Sequence, residues 1–310
     1  MAYVVGPSNR RDFIRILTAG AAGLSIARAQ TASPPITATK LADNFAHISG
    51  AGLNVLAVTG PDGVLLVDGG SPERSAELLK VVAEHSGGRK VQTLFNTHWH
   101  LESTGSNDAL GKAGAKIIAH ENTRLWMDTD IICKWRNRTF PPRAKQALPN
   151  ETFYTNGKMT FGKETVQYGY LGQAHTDGDM YVFFPGPNIL VTGDAFCAGQ
   201  YPIPDPTTAG WVGGLLDASK ALIALTNAET RIIPGSGPVQ TQADLQAQVD
   251  MLGAMRTKFV DMMRKGMGAK DMLAAAPTKE FDTKWGNPEL FITNAYPGLW
   301  GHVRELGGIV

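Results

Sequence analysis

Two cysteines in 310 residues, Cys133 and Cys197, are too few for a disulfide framework, and neither stands in a C-x-x-C pair. A cysteine-based structural zinc site is thereby excluded. One bridge between them is open in an oxidising compartment; two separate buried thiols is the simpler expectation. Charge of one sign is missing too. The net charge is +1, and the first 29 residues hold four arginines against one acid, so the remainder is slightly acidic. Such a body gives no electrostatic case for nucleic acid or a charged membrane surface. There is no G-x-G-x-x-G, no G-x-x-x-x-G-K-S/T and no repeat of fixed period, which leaves out the common nucleotide folds, solenoids and propellers. The nearest thing to a membrane span, the Ala/Gly-rich stretch ending at Ala27, is short and interrupted by Arg15.

What is present begins with that same stretch. Asn9-Arg10-Arg11-Asp12-Phe13-Ile14-Arg15, the apolar segment and Ala27-Arg28-Ala29 closely resemble a twin-arginine export signal with a small-x-small cleavage pattern. The expected organisation is a signal over 1–29, an extended leader over 30–38 and one large domain over 39–310 with a helical C-terminal segment. The expected partners are the twin-arginine export machinery and a small-molecule substrate, in the periplasm or otherwise outside the cytoplasm, with no nucleic acid and no stable membrane insertion of the mature chain.

In the body, strands alternate with helices. Phe45–Gly50, Leu53–Thr59 and Gly63–Asp68 read as strands, and Pro72–His85 reads as a helix opened by a cap and a proline. Val91–Phe95 is a short buried strand that runs into His98 and His100. In extended backbone, side chains two apart leave the same face, so both imidazoles can converge on a metal. Residues 134–150, with three prolines and several basic groups, read as a long loop at the rim of a site. Phe153–Tyr170 reads as a hairpin turning at Asn156-Gly157. From Gln242, apolar residues three and four apart mark a surface helix.

Four loops, each following a strand, carry candidate ligands: Asp68, His98 with His100, His175, and Asp194. With VDGG at 67–70, THWHLES at 97–103, GQAHTDGD at 172–179, TGDAF at 192–196 and IPGSGP at 233–238, this order resembles the metallo-β-lactamase superfamily over roughly residues 40–265. The resemblance implies an αββα sandwich of two mixed sheets flanked by helices, with metal ligands gathered along one edge. It further implies that His98, His100, His175 and Asp194 hold metal, and that Asp68 steadies a ligand histidine from behind. The chain departs from the family's H-x-H-x-D-H and P-G-H-G patterns: Glu102, Ser103 and Ser236 stand where Asp, His and His are usual. A second metal site built from Glu102, Ser103, Asp194 and Ser236 has lost both nitrogen donors, so one metal ion is expected. Zn²⁺ suits the set, and Fe²⁺ or Mn²⁺ also fits.

The function implied is an exported metallo-hydrolase that activates water against an ester, thioester, lactone, amide or related bond, with Glu102 as candidate general base and Asp194 beside it. Two alternatives stay open: a mononuclear iron dioxygenase of the persulfide dioxygenase type, and a binding protein whose site has decayed. Trp99, Trp126, Trp135, Tyr201 and Trp211 are candidates for pocket walls. His120, His47, His85 and His302 are expected to be structural.

Overall fold

A computed structural model describes residues 34–307, so the twin-arginine segment, its cleavage pattern and the start of the expected leader lie outside the described residues. From Pro35 onward the chain forms one unit. The first strand, β1 (Thr37–Ala42), begins inside the stretch expected to be leader. Its Thr-x-Thr alternation suits an edge strand, and it folds back on β2 (Phe45–Ser49) through Asp43-Asn44. After β3 (Val55–Thr59) and β4 (Val64–Val67), the helix Ser75–Ser86 crosses to β5 (Val91–Phe95). Strands β6 (Lys116–His120) and later β9 (Glu151–Phe153) extend the sheet in parallel. Its order is β1-β2-β3-β4-β5-β6-β9, antiparallel in its first half and parallel from β4 onward.

The second sheet holds β10 (Asn156–Phe161), β11 (Glu164–Tyr170), β12 (Met180–Phe184), β13 (Ile189–Gly193) and β14 (Arg231–Pro234) in that order. Only the last pair is parallel, joined by the crossover helix Val212–Ala224.

Strand alternation assigns each side chain to a layer. Leu65 and Val67 face the second sheet, where they pack with Phe45, Phe95, Val182 and Phe184, whereas Val64 and Leu66 point the other way onto Leu78 and Val82 of the helix Ser75–Ser86. In the second sheet Ile189, Val191 and Ile233 face inward. Leu190 and Ile232 face the outer helices Val212–Ala224 and Gln242–Arg264 and the C-terminal helix Glu289–Gly301. The layers are therefore helix, sheet, sheet, helix, as expected. No helix among the described residues is long and apolar enough to cross a membrane.

Two local expectations are corrected. Asn156-Gly157 lies inside β10 rather than at a turn: Gly157 faces Tyr168, and a Cβ there would stand 2.3 Å from the tyrosine ring. That glycine serves close packing, and the reversal is made at Gly162, whose φ is +57°. Residues 134–150 are not all loop either. A small hairpin, β7 (Ile131–Cys133) with β8 (Arg138–Phe140), enters the stretch, closed by a bond from Asn137 N–H to the Lys134 carbonyl at 3.0 Å. Asn137 supplies the left-handed φ of +47° that the tight turn needs. Trp135 and Arg136 sit at its tip.

Candidate metal centre

Strands β4 and β5 run parallel, so their C-terminal ends meet at one edge of the first sheet and deliver Asp68 and His98 side by side. Past Phe95, residues 96–100 cross this edge before the short helix Leu101–Thr104, carrying His98 and His100. His175 comes from the loop between β11 and β12, and Asp194 follows β13. One ligand atom from each of His98, His100, His175 and Asp194 lies within 4.8 Å of the others. His175 Nε2 is 3.0 Å from His100 Nδ1, and Asp194 Oδ2 is 3.7 Å from Nε2 of both His98 and His175.

Each imidazole is held by its other nitrogen. His175 Nδ1 meets the Ile203 carbonyl at 2.6 Å, and His98 Nδ1 meets Thr97 Oγ1 at 3.1 Å. His100 turns Nε2 outward onto Asp205 Oδ2 at 2.9 Å. The three inward nitrogens thus turn their lone pairs toward one point; His100 Nδ1 also meets Arg136 Nη2 at 3.0 Å, and His98 Nε2 is buried without any hydrogen-bond partner. Burial and the neighbouring imidazoles hold His98 and His100 well below the usual histidine range, hence neutral, the form a metal needs. These residues fit a transition metal.

Asp68 does its work through Thr97. Its carboxylate accepts Thr97 N–H and Thr97 Oγ1–H, both at 2.8 Å, and the Ser103 hydroxyl. It sits at φ +65°, a conformation an aspartate tolerates better than most residues, and burial pushes its carboxyl up to about 7. Thr97 in turn lies against Gly193, where a Cβ would come to 2.4 Å from its hydroxyl. Burial also raises the Asp194 carboxyl, with Glu102 adding to the rise and His175 and Arg136 opposing it.

Ser103 therefore bonds Asp68, and Ser236 accepts from Gln200 Nε2. Glu102 Oε1 receives Arg136 Nη1 at 2.6 Å, while its Oε2 is buried without a partner. Cys133 and Cys197 are separate buried thiols, and Cys197 Sγ lies 3.7 Å from Asp194 Oδ1. Of the aromatic candidates, Trp99 packs edge-on against His100 at 4.4 Å and Trp135 reaches Asp205. Trp126 donates to Asp177, two residues past His175; Tyr201 stacks on Phe291, and Trp211 stacks on His302 and donates its backbone N–H to the Ala174 carbonyl. His120 is satisfied by Asn122 N–H and the Tyr154 carbonyl and stacks on Tyr170.

Three residues escaped the sequence reading. Asp205 is buried, and its Oδ1 accepts Trp135 Nε1 at 2.8 Å and Thr207 N–H at 2.9 Å. Asp179 accepts both His175 N–H and Thr176 N–H, fixing the histidine loop, and burial lifts its carboxyl to about 6. Arg136 touches Glu102 and His100 at once. Asp179 stood within GQAHTDGD; the other two carry no spacing signal.

The sequence pattern of the metallo-beta-lactamase superfamily matches residues 50–249, nearly two thirds of the chain. The chain belongs to the metallo-beta-lactamase superfamily. Among solved members of the fold, a metallo-beta-lactamase from Pontibacter korlensis is 21% identical, with a TM-score of 0.57 over 70% of this chain and 99% of that one. The DIM-1 metallo-beta-lactamase is 18% identical, with the same TM-score over 71% and 98%. Among curated proteins, the 2,4-dinitroanisole O-demethylase subunit alpha of Nocardioides sp. is 22% identical over 239 residues, which are 76% of this chain and 67% of that protein. A superfamily member with this histidine group is a metal-dependent, hydrolase-like enzyme.

Proposed function

We propose that the protein is an exported hydrolase working with a single metal ion, zinc by preference, held by His98, His100, His175 and Asp194. The observation that carries this reading is the buried, unpartnered His98 Nε2 facing Asp194 and His175, with the rear nitrogen of every ring already engaged. A divalent ion there supplies Lewis acidity, polarising a bound carbonyl or ester oxygen and bringing the pKa of a water towards about 7. The buried bond from His100 to Asp205 supports a ligand role for the third histidine, which favours this set over the two-histidine set of an iron dioxygenase. Only one metal is expected because the second position offers no nitrogen donor: Ser103 and Ser236 are neutral hydroxyls engaged by Asp68 and Gln200.

The chain's own groups divide the remaining work. Asp194 presents a carboxylate to two imidazoles. Glu102, anchored by one oxygen on Arg136, keeps Oε2 to accept the proton of an attacking water. The substrate is a small molecule with an ester, thioester, lactone or amide bond, and the demethylase relative adds aryl methyl ethers to the classes worth assaying. Export rests on Asn9-Arg10-Arg11-Asp12-Phe13 and the following apolar segment.

Metal analysis of the purified mature chain, followed by a hydrolase screen of the reconstituted protein, tests the reading. One zinc per chain with hydrolytic turnover is the expected outcome. Two tightly held metals overturn the single-metal centre, iron with oxygen uptake overturns the hydrolase, and the absence of metal with no response to chelator makes the protein a binder. Fractionation of cells expressing wild type and a double Arg10→Lys, Arg11→Lys variant tests export, which the lysine pair should abolish.

A further inference from the structure

The guanidinium of Arg136 is in contact with the ligand cluster. It is delivered by the β7–β8 turn and lies 4.7 Å over the Trp135 ring, and that indole donates to Asp205. From there Nη1 donates to Glu102 Oε1 at 2.6 Å and Nη2 reaches His100 Nδ1 at 3.0 Å. Its Nε is buried and has no hydrogen-bond partner. Its charge is felt by His98, His100 and Asp194 alike.

These contacts conflict with a loaded centre in one respect. His100 Nδ1 has one lone pair, and a metal that takes it leaves Nη2–H without an acceptor. The guanidinium cannot shed its proton and retains its stacking on Trp135 and its anchor on Glu102. An arginine so placed, 22% exposed at the side chain and already paired through Nη1 with Glu102, can take a second anionic oxygen on Nη2.

We infer that Arg136 is the residue that selects the substrate: loading of the histidine site releases Nη2 from His100, and the freed donor binds a carboxylate, or another singly charged oxygen group, carried next to the scissile bond. This rests on the proposed single-metal hydrolase and names its substrate class as anionic. Glu102 holds the plane of the guanidinium through Nη1, so the anion meets a donor set fixed before it arrives.

The test uses the mature chain loaded with Co²⁺, whose visible spectrum reports ligands near the metal, titrated with benzoate and with its neutral counterpart benzamide. Wild type, Arg136→Ala and Arg136→Lys are compared, with metal content measured for each. Benzoate should bind the wild type, about tenfold or more weaker in Arg136→Ala and in between for Arg136→Lys, as for loss of a charge-assisted bond; benzamide should not distinguish the three. Benzoate that fails to bind the loaded wild type, or binds it and the loaded Arg136→Ala protein alike, overturns the inference alone. So does loss of metal in Arg136→Ala, which would make Arg136 a support for His100. A wild type that takes up no metal overturns the hydrolase reading with it.

Discussion

Asp205 Oδ2 and His100 Nε2 are 2.9 Å apart, and both side chains are fully buried. Trp135 and Thr207 occupy the other carboxylate oxygen, so Asp205 has one oxygen left, and it determines which nitrogen of His100 carries the proton. The lone pair of Nδ1 is thereby turned toward His175 and Asp194. Asp205→Asn keeps the size of the side chain and removes its charge. Zinc affinity, measured by competition with a chromophoric chelator, should fall about 10–100-fold in this variant while the metal-free protein melts near the wild-type temperature. Unchanged affinity would show that the pair only packs the loop.

Glu102 offers a sharper separation of binding from chemistry. Its Oε1 is tied to Arg136, and the amide oxygen of a glutamine can keep accepting that bond. The group at Oε2 then becomes an amide that cannot take a proton. For Glu102→Gln we expect metal content to stay at the wild-type level and kcat to drop by about 10²–10⁴-fold on whichever substrate the screen provides. A variant with full metal and full turnover would remove Glu102 from the reaction.

The division between what was legible and what was not follows from how each feature is encoded. Layering came through because alternation is local: Val64-Leu65-Leu66-Val67 already assigns two side chains to each face. The ligand histidines were legible because a strand end brings close neighbours in sequence to one point, as His98 and His100 show. Arg136 and Asp205 act on His100 from 36 and 105 residues away, and a lone arginine in a basic loop or an aspartate between two prolines has no spacing to betray it. Asn156-Gly157 misled for the opposite reason. A dipeptide that usually makes turns was there to admit the Tyr168 ring.

Metal binding should also be visible as stability. An ion that binds the folded chain alone stabilises it by about 2.7 kcal/mol at a hundred times its Kd. For a domain of this size that corresponds to a rise in melting temperature of about 5–10 °C. Differential scanning fluorimetry with zinc, then with excess EDTA, should show the rise and its reversal in wild type. Neither should appear in His98→Ala, which lacks the unpartnered nitrogen. A wild type indifferent to both additions would argue that the cluster does not take metal.

Gly235 shows how the IPGSGP loop serves the centre without a histidine of its own. A Cβ at this position would stand 1.9 Å from Asp194 Oδ1 and 2.9 Å from the Gly193 carbonyl carbon, so the loop can lie against Asp194 only while residue 235 has no side chain. Gly235→Ala must push either the carboxylate or the backbone, and overpacking of this kind costs about 1–3 kcal/mol. Its zinc affinity should fall together with its melting temperature, because the displaced group is itself a ligand candidate. Gly253 gives the contrast: it lies in the helix Gln242–Arg264 with nothing within 4 Å of its would-be Cβ. Gly253→Ala should stabilise the protein by about 0.5–1 kcal/mol and leave zinc affinity alone. If both alanines behaved the same way, the close approach of Gly235 to Asp194 would not be what sets the geometry of the centre.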